Sequence, residues 1–557
     1  MSIAGDMRRP SSWRAALIGA VVAALATLPG LGVGTLWDNS ETVYGEVARE
    51  VLFYHDPIVM HLNGVPWFVQ PPLYFWVAAL SAKLLGISAF ALRLPSALAT
   101  IGMGALVGLI AGRLVSLRAA VFCSVILSTS LMQAVVGRLA IMDALLDLAV
   151  TLTIFSLFAA LRTGNRTYWY AASLATALGI LAKGPVAIAV PVLIVGVWAF
   201  WERRRGEPLQ APGPLTCLGM LLTMTLVIGP WLVLLIRTSG AHAVSELIGH
   251  YTIGRYLGAI ENQGGPFWYY VPVLILGFFP WSAFLLPAIA QAWRAARAPE
   301  ASLVRLCLSW TIVPFVFFSF AQTKLPNYIA LDLPGQALLV ALWFDTIVDR
   351  PKRSAALMWA ALVPVTIGVV GIAIRLFSQN NRLSADLHTI VGDIVLLGWT
   401  TLAGSIVCFL LLATRRTAPF APAALAAASL GALFIIVLVA EPHAERFKPI
   451  PRLAAVIEQE RRPDDVIAIW DAAGSYALEF YTQPHVDLLD SNAQPPRRKP
   501  EETICEASRA FVVTSSRRSP PPPTYGRARH ELARTAGDVL YLYDGPRCGA
   551  GAKMRAG

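Results

Sequence analysis

Charge is scarce in this chain: Asp, Glu, Lys and Arg make up 14% of 557 residues, against 56% hydrophobic side chains and a mean hydropathy of +0.59. A soluble domain carries roughly a quarter charged residues, so the shortage excludes that class and leaves a polytopic membrane protein. Acidic charge is the scarcer sign, 34 residues against 45 basic ones, for a net charge of +11. In a soluble protein that excess would suggest a nucleic-acid partner. Here much of the Lys and Arg lies in short loops between apolar runs, where it sets orientation, and no nucleic-acid motif is present. Cysteine is rare as well. Four of the six, Cys123, Cys217, Cys307 and Cys408, lie in apolar runs as small polarizable packing residues, which leaves Cys505 and Cys548 in the polar tail. Rossmann and P-loop signatures are missing, so nothing calls for a bound nucleotide. No internal repeat and no mid-span pair of ionisable groups is found, which counts against a transporter built from two related halves.

What is present is a series of apolar runs of roughly twenty residues, the length that crosses a bilayer core, recurring to about residue 440. The expected spans are 13–34, 89–112, 118–135, 143–162, 167–182, 184–201, 215–237, 268–291, 303–320, 328–346, 354–376, 389–412 and 420–440, about thirteen in all. The first is read as a retained span because so many others follow it. With Arg8, Arg9 and Arg14 on the cytoplasmic side, the clusters Arg113/Arg118, Arg162/Arg166, Arg203 to Arg205, Arg294/Arg297, Arg350 to Arg353 and Arg415/Arg416 fall on that side too. The segment 71–87, PPLYFWVAALSAKLLGI, keeps this parity if it is an interfacial or partly inserted helix. An odd number of spans puts the C-terminus outside.

Past residue 440 the texture changes. DVIAIWD, FVVTSS and VLYLYDG read as strands, PRLAAVIEQE as a helix, PPRRKPEE and RRSPPPPTYG as loops. The expected fold is therefore an all-α polytopic membrane domain, 1–440, with outer loops 35–88 and 238–267, followed by a small periplasmic α/β domain, 441–557. In that oxidising compartment Cys505 and Cys548 either pair or stay as thiols.

An ionisable group at a helix centre costs about 2.5 to 3.5 kcal/mol on insertion scales, so those that persist at span ends need a reason. On the topology above, Asp38, Glu41, Glu46, Asp143, Lys183, Glu246, His250, Arg255 and Lys324 all fall on the outer side. Ordinary loop chemistry explains any one of them; their joint placement on one face suggests an outward-facing active site. In WDNSETVYGEVARE, Val43, Val47 and Val51 recur every four residues and mark an amphipathic helix. Asp38 and Glu41 also match a D-x-x-E capping pattern, a purely structural use of both acids. Glu46 with Arg49, and Glu50 beyond, read as a solvated helix face.

Five stretches carry a family resemblance: SETVYGEVAREVL with HLNGVPWFVQPPLYFW, GRLAIMDALL, LGILAKGP, PFWYYVPVLILGFFPWS and FSFAQTKLPNYIALDLP. In their order and spacing, from about residue 37 through 335, the chain resembles the bacterial GT-C glycosyltransferases that include lipid A aminoarabinose transferases and protein O-mannosyltransferases. The resemblance implies a polyprenyl-phosphate sugar as donor. It also shows two departures: Ser40 stands where such enzymes usually carry an aspartate before Glu41, and Val69 and Gln70 stand where aminoarabinose transferases tend to have Glu-Lys.

The function expected is an integral-membrane glycosyltransferase of the bacterial inner membrane, its N-terminus cytoplasmic. It would move a sugar from a polyprenyl-phosphate carrier to an envelope acceptor (lipid, glycan or protein) on the periplasmic side. A flippase or transporter of lipid-linked sugars, and a non-catalytic binder of them, are the alternatives. Glu41 or Asp38 would take the proton of an attacking hydroxyl, with Asp143 orienting. Arg255, Lys324 and Lys183 would steady the leaving phosphate, which gains charge as the glycosidic bond breaks. Ser40, Tyr44, Gln70, His250, Tyr269 and Tyr328 are the further candidates for substrate contact. No cofactor is identified from the sequence. A divalent metal has His250 as its candidate ligand, although a lone loop histidine more often only hydrogen-bonds.

Overall fold

The computed structural model describes residues 12–37, 40–258, 263–348, 385–414, 416–470, 475–482, 486–488, 503–505, 507–515, 527–535 and 537–545. The expected span 354–376, the loops 495–502 and 517–526, Asp38 and Cys548 lie outside them. The chain divides into two compact units, one of residues 1–32, 68–77 and 93–440, the other of residues 33–67, 78–92 and 441–557.

The first unit is helical. Among the described residues eight helices are long and apolar enough to cross a membrane, including Ala89–Leu114, Asp143–Thr163, Val186–Arg204, Pro214–Ser239 and Ser302–Phe320. Local chemistry sets several of their ends. Asp143–Thr163 stops at Gly164, whose φ of 69° is left-handed and whose N–H donates to Ala160 O. Arg166–Lys183 starts at once on Asn165, whose side chain accepts from Thr167 N at 2.9 Å, and stops at Gly184, φ 76°. Pro185 then opens Val186–Arg204, so Lys183 is held at a helix C-terminus by the residues after it.

Several expected spans differ in form. The run 118–135 is two helices, Leu117–Thr129 and Leu131–Val136, parted at Ser130, whose extended backbone ends one and starts the other. The run 268–291 is a bent pair, Phe267–Gly277 and Ser282–Ala295, at 108° to each other. The first helix, Ser12–Thr27, ends well before residue 34, and Arg166–Lys183 is a helix but not among those eight. The stretch SELIGHYTIG, expected as loop, is a π-helix, Ser245–Gly254, between the short helices Ala241–Val244 and Arg255–Leu257.

The second unit is built on a five-stranded sheet, ordered Val486–Leu488, Val466–Trp470, Ala510–Ser515, Asp538–Asp544, Ala528–Arg534. The first three strands run parallel and the last two pairings are antiparallel. Every residue of Ala510–Ser515 is buried, as a central strand covered on both faces must be. Helix Pro449–Glu460 buries Ile450, Leu453, Ala454 and Ile457, one stripe at helical spacing, against Ile467, Phe511, Val513 and Leu540. The three expected strands and that helix are all present; Val486–Leu488, Ala528–Arg534 and helix Ser475–Thr482 are additional. Cys505 is disulfide-bonded, and Cys123, Cys217, Cys307 and Cys408 are free.

The segment 33–67 folds with this sheet unit. Glu445 accepts from Thr35 N at 2.9 Å and from Thr35 Oγ1 at 2.7 Å, Tyr481 Oη accepts from Leu36 N at 2.7 Å, and Asn63 bonds both backbone groups of Val486. Helix Glu41–Tyr54 is thereby enclosed, and Glu46 and Glu50 are 0% and 1% exposed. The solvated face expected for those two acids is not there. A period-four reading of valines finds one apolar side but cannot know that the far segment around Ser475–Thr482 covers the polar side as well.

Candidate functional site

Asp143 opens its helix at 4% exposure, with its carboxylate engaged twice: Oδ1 accepts from Lys183 Nζ at 2.5 Å and from Asn327 Nδ2 at 2.7 Å. Lys183 also sits 5.4 Å over the ring of Tyr328, which packs on Phe318. Phe318 meets Tyr270, and Tyr270 lies under the ammonium of Lys324 at 5.5 Å and beside Tyr269. The network thus runs without a break from Asp143 to Lys324. Arg255 joins through the backbone, since Thr323 N donates to Arg255 O at 3.1 Å, and its guanidinium lies over Tyr251.

Lys324 shows how the local sequence places a cation. Helix Ser302–Phe320 ends at Ala321, and Lys324 Nζ turns back to donate to Phe318 O at 3.0 Å and Ser319 O at 2.6 Å, carbonyls of that last turn, the first of which also accepts from Ala321 N. Its approach needs Gly265, where an added Cβ would come within 2.9 Å of Lys324 Cγ. Burial pulls the Lys324 amine below its ordinary value. One turn on from Asp143, Asp147 is buried and its Oδ2 meets no donor among the described residues.

Of the residues expected to act on a donor phosphate or sugar, Lys183, Lys324, Arg255, Tyr269 and Tyr328 are therefore brought together with Asp143 inside the helical unit. Lys183 is paired to that carboxylate. Asn327 carries no charge to mark it in the sequence, although it stands in the same QTKLPNY stretch as Lys324; its 2.7 Å bond to Asp143, across 184 residues, reveals it. Gln70 is half-buried just before Pro71. His250 is exposed, its ring edge-on to Tyr251, and among the described residues no second and third metal-type ligand gather around it.

Ser40, Glu41 and Tyr44 belong to the sheet unit. Glu41 is fully buried at the first position of its helix, and its Oε2 accepts from Trp37 N at 3.0 Å. Ser40 is the residue before the helix and makes no side-chain cap bond, while Asp38, the other half of the D-x-x-E reading, lies outside the described residues; Tyr44 packs edge-on against Trp67. Farther along the same helix, Glu46, Glu50 and Glu479 bring one carboxylate oxygen each within 4.8 Å of one another. Burial, and after it the charge of Glu46, push Glu50 up to about 7; Glu479 is pushed up by burial and then by both of the other acids.

Comparison with known proteins gives this geometry a family. A model described as dolichyl-phosphate-mannose-protein mannosyltransferase matches residues 69–233. The undecaprenyl phosphate-alpha-4-amino-4-deoxy-L-arabinose arabinosyl transferase of Erwinia tasmaniensis is 32% identical over 64% of this chain, and that of Pectobacterium carotovorum subsp. carotovorum is 30% identical over 69% of each chain. The chain belongs to the aminoarabinose transferase family. The match to the Erwinia relative spans 64% of that protein's length, just under two thirds. In fold, this family member is similar to the crystal structure of ArnT from Cupriavidus metallidurans bound to undecaprenyl phosphate, with a TM-score of 0.79 over 94% of this chain and 97% of that one at 22% identity. The apo crystal structure of the same ArnT gives 0.75.

Proposed function

We propose that this chain is an integral-membrane glycosyltransferase that moves a sugar from a polyprenyl-phosphate donor to an envelope acceptor at the periplasmic surface of the inner membrane. The observation that carries this reading is the buried Asp143, held by Lys183 and Asn327 and linked through packed aromatic rings to Lys324, in a member of the aminoarabinose transferase family. On this reading Lys324 and Arg255 face the phosphate whose charge grows as the sugar–oxygen bond breaks. Asp143, fixed by two donors, orients the reacting groups. Glu41 is the proposed base for a hydroxyl acceptor; an acceptor that is already an anionic phosphate needs none, which makes a serine at position 40 compatible with transfer. Tyr269, Tyr328, Tyr44, Gln70 and His250 are proposed as substrate contacts. About thirteen spans and a cytoplasmic N-terminus complete the proposal, with the C-terminal sheet outside.

The test is transfer by the purified protein from a radiolabelled polyprenyl-phosphate sugar to extracted envelope lipids, glycans and proteins. Asp143→Asn is expected to lower the rate by at least a hundredfold while the protein stays folded. Because Ser40 replaces the usual aspartate, a second reading is a non-catalytic binder of the same lipid: donor binding without transfer under every acceptor would favour it and sink the enzyme. Lipid scrambling without transfer would favour a flippase.

A further inference from the structure

We propose that Glu46, Glu50 and Glu479 form a binding site for one hard divalent cation, of the calcium or magnesium kind, inside the sheet unit. Nothing in the proposed sugar transfer uses these residues. The three carboxylates offer oxygens within 4.8 Å of one another, and the residues are 0%, 1% and 2% exposed. Two of the oxygens are unsatisfied: Glu50 Oε2 and Glu479 Oε1 are buried and meet no donor among the described residues. A buried carboxylate oxygen without a partner is costly, and two in one place are relieved either by protons on the acids or by a shared positive ligand.

The surroundings hold the acids in place. Gly64 N donates to Glu50 Oε1 at 2.9 Å, and the backbone of Asn63 hydrogen-bonds Glu479. Asn63 and Gly64 have φ of 54° and 73°, the left-handed pair of the tight turn between His61–Leu62 and Val65–Pro66, which aims both N–H groups at the acids. The side chain of Asn63 is itself pinned to Val486 N and O. Glu46 is forked by the Arg49 guanidinium, so with all three acids ionised one negative charge is balanced and two remain for a cation to meet. One divalent ion closes that balance, and all-carboxylate oxygen ligation selects calcium or magnesium over metals that favour His or Cys. The cation would tie helix Glu41–Tyr54, which carries Glu41, to the Asn63–Gly64 turn and to helix Ser475–Thr482.

The full chain in detergent micelles, stripped with chelator, is titrated with Ca2+ and separately with Mg2+ while thermal unfolding is followed by tryptophan fluorescence. Bound Mn2+ is counted by electron paramagnetic resonance. The expected result is a saturable rise of several degrees in Tm with at least one of the two ions, and one Mn2+ per chain displaced by that ion. Glu50→Gln and Glu479→Gln are each expected to abolish both effects. No saturable rise together with no bound Mn2+ overturns the site, as does a rise that both variants keep in full, which puts the ion elsewhere. If a variant does not fold, the wild-type Mn2+ count decides: zero ions per chain ends the proposal.

Discussion

Two ion pairs in the helical unit show how the same chemistry serves different ends. Arg305 and Glu202 both have side chains that are 0% exposed. Arg305 donates to both oxygens of Glu202 and to the carbonyls of Ala296, Ala298 and Pro299, so the guanidinium is fully engaged. That pair is structural. The Asp143–Lys183 pair is joined by Asn327 and by the Tyr328 ring, and both of its members sit at helix ends rather than along them. Breaking a buried pair from one side strands the other charge, at a cost of about 3 to 5 kcal/mol, while replacing both members by apolar groups costs far less. Glu202→Gln is therefore expected to lower Tm more than the double variant Glu202→Leu with Arg305→Met, measured by thermal unfolding in micelles. A double variant that falls further than the single one would mean that the five-donor fork, not charge balance, holds this corner.

At the scale of elements, close helix packing in this unit depends on small residues. Gly104 and Gly108 lie four apart on Ala89–Leu114, facing Ser12–Thr27: a Cβ on Gly104 would stand 2.6 Å from Gly19 O and 2.9 Å from Ala23 Cβ, and one on Gly108 would stand 2.5 Å from Ala15 O. Without a hydrophobic drive between helices in lipid, such backbone approach is a main source of association. Gly104→Val is expected to cost about 1 to 3 kcal/mol or more by overpacking, whereas Gly196→Ala, with nothing within 4 Å, is expected to be neutral or slightly stabilising. Equal melting temperatures for the two variants would remove the packing argument. The glycine pair is legible in the sequence as two small residues one helical turn apart in an apolar run. The ends around Gly164, Asn165 and Gly184 were legible because their cause is local. The parting at Ser130 and the 108° bend before Ser282 were not, since an apolar run reads the same whether the helix within it is straight or broken.

The whole molecule was hardest to foresee where chain segments distant in sequence meet. Strands such as Ala510–Ser515 announced themselves by β-branched and aromatic runs, and Asp143, Lys183 and Lys324 by their cost at span ends. That residues 33–67 fold with the C-terminal sheet could not be read, because the contacts join positions 410 to 445 apart and neither partner has a motif naming the other. Glu445 is central to that junction. It accepts two bonds from Thr35 and one from Lys448 Nζ at 2.6 Å, while Lys448 also donates to Thr35 O and covers the Trp37 ring at 4.0 Å. Burial pushes the Glu445 carboxyl upward, but the bonds from Lys448 and Thr35 and the Lys448 charge together outweigh it and hold the group below its ordinary 4.5. A depressed carboxyl stabilises the fold fully above its unfolded value and loses that contribution as pH falls through the folded one. With the side chain 25% exposed, the discounted contribution is about 1 to 2 kcal/mol. Glu445→Gln should accordingly melt several degrees below wild type at pH 7. The two Tm curves should draw together as pH is lowered past 4.5. A gap of constant size from pH 7 into that acid range would show that shape rather than charge at this position joins the two ends of the chain.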